Sequence, residues 1–135
     1  MSDAEKEIKL FDEKVSRTAE VKIIHLSEAM NGAVGVKNIT VETDKTTPVL
    51  PAAKKKLNIE FIGDSITCAY GVEGKSSSES FKTTTENFMK SYAYLAAEKL
   101  DADYSVVSYS GHGVLSGFTT SGDINKDSIV PDYYT

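Results

Sequence analysis

Hydrophobic and polar positions first become regular at Val21. The sequences VKIIHL and AVGVKNITV alternate apolar and polar residues, which is the period-two pattern of half-buried strands. This pattern predicts two strands, at about Val21 to Leu26 and Val34 to Val41, separated by a turn-like MNG. The next sequence, TDKTTPVLPAAKKK, has no period, and its Pro48 and Pro51 do not fit inside a central strand, so it predicts a linker.

Beyond the linker, the apolar and β-branched sequence LNIEFIGDS predicts a strand that is buried on both faces and stopped by Gly63. A capping-box pattern over Thr83 to Glu86 predicts a helix from Thr84 or Thr85 to Leu100. Apolar residues recur along one face of that helix: Phe88, Tyr92, Leu95, Ala96 and Leu100. YSVVSY, at Tyr104 to Tyr109, predicts a second buried strand. Together these elements predict a parallel, right-handed βαβ unit.

Two strands are too few for a stable open sheet, because its edges stay unpaired and one apolar face stays bare. The amino-terminal β segment has the same defect, since an isolated hairpin is marginal in water. We therefore expect the chain to be a piece of a longer protein, cut inside one domain at each end.

Composition narrows the functional classes. The chain has 135 residues, a net charge of −5 and one dense basic run, Lys54 to Lys56, which we interpret as a solvated linker face rather than an anion-contact site. The net negative charge and the shortness of this basic run argue against a nucleic-acid-binding protein. No apolar run approaches the ~18 residues of a membrane helix, and MSDAEKEIKL has no visible secretory signal. The single cysteine, Cys68, excludes an internal disulfide framework and a multi-cysteine zinc site.

The most informative motif is IEFIGDSITCAYG, in which Ser65 directly follows the first predicted parallel strand. Open α/β sheets place their sites at the carboxyl ends of strands, so Ser65 is a candidate nucleophile. The motif is not the G-x-S-x-G elbow, because Thr67 replaces the last glycine. A serine here also suits a helix N-cap, which is the structural alternative. GDSIT, together with the preceding apolar strand, resembles the first conserved block of the SGNH (GDSL-like) hydrolase superfamily.

Further motifs extend this resemblance. IEFIGDSITCAYGVEG, TTTENFMKSYAYLAAEKL, DADYSVVSYSGHGV and PDYY occur in the order seen in the second carbohydrate-esterase family, whose members are acetyl esterases acting on xylan and related polysaccharides. VKIIHLSEAMNGAVGVKNITVE resembles the end of the jelly-roll domain that precedes the hydrolase domain in that family. The resemblance covers about residues 20–135. It implies an α/β chain with the end of a jelly roll at 1–47, a linker at 48–56, and the N-terminal half of an SGNH-type, flavodoxin-like α/β/α hydrolase domain at 57–135.

The resemblance also implies roles for individual residues. Ser65 is then the nucleophile, its backbone N–H is one oxyanion donor, and Gly113 supplies the second donor, with Gly111 as the weaker choice. Both glycines also suit a tight loop without any catalytic role. Asp64 is expected to order the turn. The family's histidine base and asparagine oxyanion donor belong to downstream blocks that we do not find in this sequence.

Three other reactive side chains are assigned structural roles. His25 lies in a predicted strand of the other domain and is interpreted as a partly exposed histidine. His112 lies between the loop glycines, where the family does not place its base, and is expected to line the pocket wall. Cys68 has an apolar neighbourhood and no identified base, so we interpret it as a core residue.

Two alternative functions are kept open. AYGVEGKS, at Ala69 to Ser76, matches a relaxed phosphate-binding loop containing Lys75, although it begins several residues after the strand and opens no helix. The amino-terminal β segment also suits a non-catalytic carbohydrate-binding module, which would leave GDSIT unexplained.

The preferred reading is a serine esterase that removes acetyl groups from polysaccharide in the complete protein. That chemistry requires no metal and no organic cofactor. The expected partner is an acetylated carbohydrate, without nucleic acid or membrane. The resemblance suggests a secreted bacterial enzyme. Neither the sugar that carries the acetyl group nor the oligomeric state is indicated by the sequence.

Overall fold

The computed structural model describes residues 5–12, 18–42, 46 and 49–134. Within them, strand β1 spans Leu57–Gly63 and strand β2 spans Ala102–Ser108, with helices α1 at Ser65–Cys68 and α2 at Tyr92–Lys99 between them. Short 3₁₀ helices cover Ala29–Asn31, Thr83–Thr85, Phe88–Lys90 and Val130–Tyr133. The strand, helix, strand order confirms the predicted α/β character of the chain.

The two strands form a parallel sheet, as the sequence predicts. Leu57 pairs with Ala102 at one end of the register and Gly63 pairs with Ser108 at the other, so both carboxyl ends lie at the same edge. The predicted burial of β1 on both faces is wrong, because Leu57 and Ile62 keep nearly half of their surface exposed. The reason is that the described residues supply no third strand and few elements to cover the sheet.

The long helix predicted from Thr84 or Thr85 is also wrong at its start. Two 3₁₀ turns replace its first half, and α2 begins at Tyr92 after Ser91, whose hydroxyl accepts a hydrogen bond from the Tyr94 N–H at 3.1 Å. Glu86, the residue expected to close a capping box with Thr83, instead accepts a hydrogen bond from the backbone N–H of Glu28 at 3.1 Å. A long-range contact therefore occupies the carboxylate that the local motif needed.

The core is small and partly aromatic. Ala93, Ala97 and Ala102 are almost completely buried, which lets α2 approach β2 closely. Beside them Tyr94 contacts Tyr104, with ring centroids 5.9 Å apart, and Phe88, with centroids 5.8 Å apart. Edge-to-face pairs of this kind add to the stabilisation that burial provides.

The two strands predicted at Val21 to Leu26 and Val34 to Val41 are not formed. These residues lack strand structure, and the ordered element between them is the 3₁₀ helix Ala29–Asn31. An alternating pattern yields a strand only when a neighbouring strand satisfies its backbone groups, and the described residues provide none. Part of the predicted linker, including Pro48, lies outside the described residues. Lys55 in its carboxyl-terminal part is anchored, because its N–H donates to Asp103 at 2.8 Å.

The molecule leaves much of its apolar surface in contact with solvent. Among the described residues, the large apolar side chains of Ile66, Leu115 and Phe118 are each more than 70% exposed. Few apolar contacts are therefore available to stabilise the fold. Among the described residues, no helix has the length and apolar character needed to cross a bilayer.

Candidate active site

Ser65 lies where strand β1 turns into helix α1. Asp64 is the N-cap of that helix, and its side chain accepts a hydrogen bond from the Ile66 N–H at 3.0 Å. Ser65 is the first helical residue and is half-buried. As a first-turn residue it has no intrahelical acceptor for its N–H. Asp64 thus caps the helix that Ser65 begins. The site-ordering role of Asp64 and the catalytic role of Ser65 stay predictions.

Gly63 is required by the tight packing of this turn. A Cβ atom built at Gly63 would lie 2.1 Å from Oγ1 of Thr67, a distance that real atoms do not adopt. Thr67 is buried and its Oγ1 is 2.9 Å from the hydroxyl of Tyr92, the first residue of α2. The glycine therefore lets α1 fold back onto the strand and onto α2.

A glycine-containing loop follows β2 at the same edge of the sheet. The Tyr109 N–H donates to the Gly63 carbonyl at 3.3 Å, which joins the start of this loop to the end of β1. A Cβ atom at Gly113 would lie 2.2 Å from the Ser116 carbonyl oxygen, so only glycine fits. Gly111 has a φ of +77°, which also favours glycine. Both glycines thus have structural reasons, and the oxyanion role of Gly113 stays a prediction.

Cys68 is buried as expected and packs beneath the site. Its Sγ lies 3.1 Å from the Ser108 hydroxyl and 3.6 Å from Oε2 of Glu28. Burial raises the pKa of the thiol to about 12, and the nearby carboxylate of Glu28 adds to that effect. A thiol with such a pKa carries almost no thiolate at neutral pH, so it is inert as a nucleophile.

We expect iodoacetamide to alkylate Cys68 in the folded chain at least ~100-fold more slowly at pH 8 than in the chain unfolded by guanidinium. The unfolded thiol titrates near its ordinary pKa and therefore presents far more thiolate. Mass spectrometry of quenched samples measures both rates. Folded and unfolded rates within tenfold of each other would contradict the burial of this thiol.

Neither histidine forms a hydrogen bond with Ser65 in the described part of the chain. His25 is exposed, and its Nε2 is 3.2 Å from the hydroxyl of Ser27. Nδ1 of His112 is 3.0 Å from the Ser110 carbonyl oxygen, which can only accept, so Nδ1 carries the proton in this contact. The His112 ring also packs against Tyr109 and Tyr133, with centroids 5.6 and 5.0 Å away. The expected role of His112 in the pocket wall stays a prediction.

The phosphate-binding alternative is not supported by the local geometry. Ala69 adopts a left-handed conformation that ends α1, and the segment after it forms turns rather than the start of a helix. The backbone N–H of Lys75 donates to Oε2 of Glu79 at 2.8 Å. A carboxylate thus occupies a donor that a phosphate would need.

Two buried carboxylates near the site were not found from the sequence. Glu28 and Glu86 are 7% and 3% exposed, and both lie within 4.8 Å of the Cys68 sulfur by their nearest ligand atoms. Glu28 stands in a turn-like sequence and Glu86 in an apparent capping box, so neither carries a local signal of burial. Only the contact between the amino-terminal segment and the α/β part brings them together.

The comparisons with known proteins identify the type of enzyme that the chain resembles. No family model matches the sequence. An acetylxylan esterase / glucomannan deacetylase of Cellvibrio japonicus is 33% identical over 94% of this chain and 34% of the relative. The cellulase/esterase CelE of Acetivibrio thermocellus is 48% identical over 51% of this chain and 9% of the relative. The chain therefore spans about a third or less of the curated relatives it matches.

Solved structures lead to the same group. A family two carbohydrate esterase from Clostridium thermocellum, in complex with cellohexaose, matches with a TM-score of 0.51 and 39% identity, over 56% of this chain and 23% of that chain. An acetyl xylan esterase from Butyrivibrio proteoclasticus matches with a TM-score of 0.55 and 30% identity, over 63% of this chain and 22% of that chain. These relatives are carbohydrate esterases, and the chain resembles one part of such an enzyme. The resemblance inferred from the sequence motifs is confirmed.

Proposed function

We propose that this chain supplies the nucleophile and two oxyanion donors of a serine esterase that removes acetyl groups from a polysaccharide such as xylan. The observation that carries the proposal is the position of Ser65. It stands directly after β1 and at the same edge of the sheet as the glycine loop that follows β2. Nucleophilic attack on an ester requires this pairing of a hydroxyl with nearby N–H donors.

The proposed reaction has two steps. Ser65 Oγ attacks the acetyl carbonyl carbon, a base takes the hydroxyl proton, and the bond from that carbon to the sugar oxygen then breaks. The sugar oxygen leaves with the proton, and the acetyl group stays on Ser65. Water then attacks the same carbon as the base takes its proton, the bond from that carbon to Ser65 Oγ breaks, and Oγ regains the proton as acetate leaves. The N–H groups of Ser65 and Gly113 would stabilise the negative charge on the carbonyl oxygen in both steps.

The residue that acts as the base toward Ser65 is not identified in this sequence. Family resemblance assigns it to a histidine in a downstream block, accompanied by an asparagine oxyanion donor. We infer that residues 57–135 form the first part of the hydrolase domain and that both groups come from outside these 135 residues. The assignment of residues 1–47 to the end of a jelly roll is kept as part of the proposal. The resemblance to this family of secreted bacterial enzymes leads us to infer that the complete enzyme acts outside the cell.

The isolated 135-residue chain is expected to hydrolyse 4-nitrophenyl acetate no faster than its Ser65→Ala variant. A serine hydroxyl is a weak nucleophile without a positioned base, and in the described part of the chain neither histidine is hydrogen-bonded to Ser65. Initial rates measured by absorbance, with His112→Ala as a third protein, check this expectation. Turnover that depends on Ser65 and disappears in His112→Ala would show that the base is His112.

A further inference from the structure

The carboxylate of Glu28 lies between the two parts of the candidate site. One of its oxygens, Oε2, accepts a hydrogen bond from the backbone N–H of Ser110 at 2.6 Å and receives the thiol of Cys68 at 3.6 Å. Ser110 opens the loop that leads to Gly113, and Cys68 ends the helix that Ser65 begins. A single oxygen atom therefore bridges the nucleophile helix and the glycine loop.

Glu28 itself is held from the other side by Glu86. The Glu28 N–H donates to Oε1 of Glu86 at 3.1 Å, and the amide of Asn31 donates to Oε2 of Glu86 at 3.0 Å. Two residues away in each segment, the Phe88 N–H donates to the Leu26 carbonyl at 2.9 Å. These three hydrogen bonds attach the amino-terminal segment, at Leu26 to Asn31, to the connection between α1 and α2.

The chemistry of the buried groups is consistent with this arrangement. A buried carboxylate is costly unless strong hydrogen bonds compensate it, and the short bond from the Ser110 N–H is of that kind. Burial raises the pKa of Glu86, and the Glu28 carboxylate adds to the rise. Glu86 therefore keeps a proton more readily than an exposed glutamate does, which reduces the repulsion between the two groups.

We propose that Glu28 is a positioning residue for the esterase site: its carboxylate, delivered by the amino-terminal segment, sets the Ser110 to Gly113 loop against the helix that carries Ser65. This inference rests on the proposed function of Ser65 and the loop. On this inference, the amino-terminal segment that carries Glu28 helps to hold the catalytic residues in place. The segment would then contribute to the reaction without touching the substrate.

Amide hydrogen exchange in the 135-residue chain tests the contact. In Glu28→Gln, which keeps the size of the side chain and removes its charge, the Ser110 amide should exchange on the order of 10–100-fold faster, because a charge-assisted bond is lost. The Val106 amide in β2 should keep its exchange rate. Glu98→Gln is the matched control, since it removes the same charge from an exposed pair with Lys22.

Kinetics in the natural polypeptide that contains these residues test the role. Glu28→Gln should lower kcat at least tenfold with little change in KM, because the loop N–H stabilises charge that exists only in the transition state. Glu98→Gln should leave both constants unchanged. A Ser110 exchange rate that is unchanged in Glu28→Gln, or an unchanged kcat despite faster exchange, overturns the inference.

Two further measurements distinguish a failure of the Glu28 inference from a failure of the proposed function. If Glu28→Gln does not fold, the scalar coupling across the hydrogen bond from the Ser110 amide nitrogen to the Glu28 carboxylate carbon is measured in the unmodified chain. Its presence supports the bridge and its absence overturns it. A Ser65→Ala enzyme that keeps full turnover refutes the proposed function instead, and the exchange result then still decides whether Glu28 positions the loop.

Discussion

Replacing Ser65 by alanine is expected to lower kcat for an acetyl ester by a factor of ~10⁴–10⁶ in the natural polypeptide that contains these residues. The alanine removes the attacking oxygen and no large volume. Ser65 is half-buried at the start of α1. The fold should therefore survive, and the loss should appear in turnover rather than in stability.

Lys75→Ala is the control for this experiment. It removes the lysine of the phosphate-loop alternative, whose backbone N–H is already bonded to Glu79. Turnover should match that of the unmodified enzyme, and circular dichroism should show the same fold in all three proteins. Retained turnover in Ser65→Ala would exclude Ser65 as the nucleophile. Stabilisation by ATP that is lost in Lys75→Ala would instead favour a phosphate-binding loop.

Replacing Tyr94 by alanine should lower the free energy of unfolding by ~3–5 kcal/mol. Tyr94 is the large aromatic residue of α2 that is most deeply buried, at 8% exposed, and its ring contacts Phe88 and Tyr104. The ammonium of Lys22 also lies 4.9 Å from the ring centroid, so the amino-terminal segment loses a contact as well. In a molecule with so small a core, this loss is a large share of a typical stability.

Leu95→Ala is the matched control for Tyr94→Ala. Leu95 is the next residue of the same helix and is 56% exposed, so its truncation should cost about 1 kcal/mol or less. Urea unfolding followed by circular dichroism measures the free energy of unfolding of both variants. The dependence of that free energy on urea concentration is compared between them. Equal effects at the two positions would contradict the assignment of Tyr94 to the core.

The candidate site was predicted from the sequence in part. Ser65, Asp64 and the loop glycines stand in local motifs, and the parallel register puts them at one edge of the sheet because each follows the end of a strand. Their catalytic roles stay predictions. Glu28 and Glu86 could not be predicted, because their burial depends on a contact between residues 58 positions apart.

The sequence by itself determined the two strands, their parallel pairing and the glycine that ends β1. These features depend on short apolar runs and on local backbone requirements, which the residues carry wherever the segment lies. Tertiary structure decided the start of α2, where Glu86 turned from its expected cap toward Glu28. It also decided that Val21 to Leu26 form no strand, because alternation predicts a strand only when a partner satisfies its backbone hydrogen bonds. The pattern of apolar residues indicates which face of a segment can be buried. Whether that face is buried depends on the segments that pack against it.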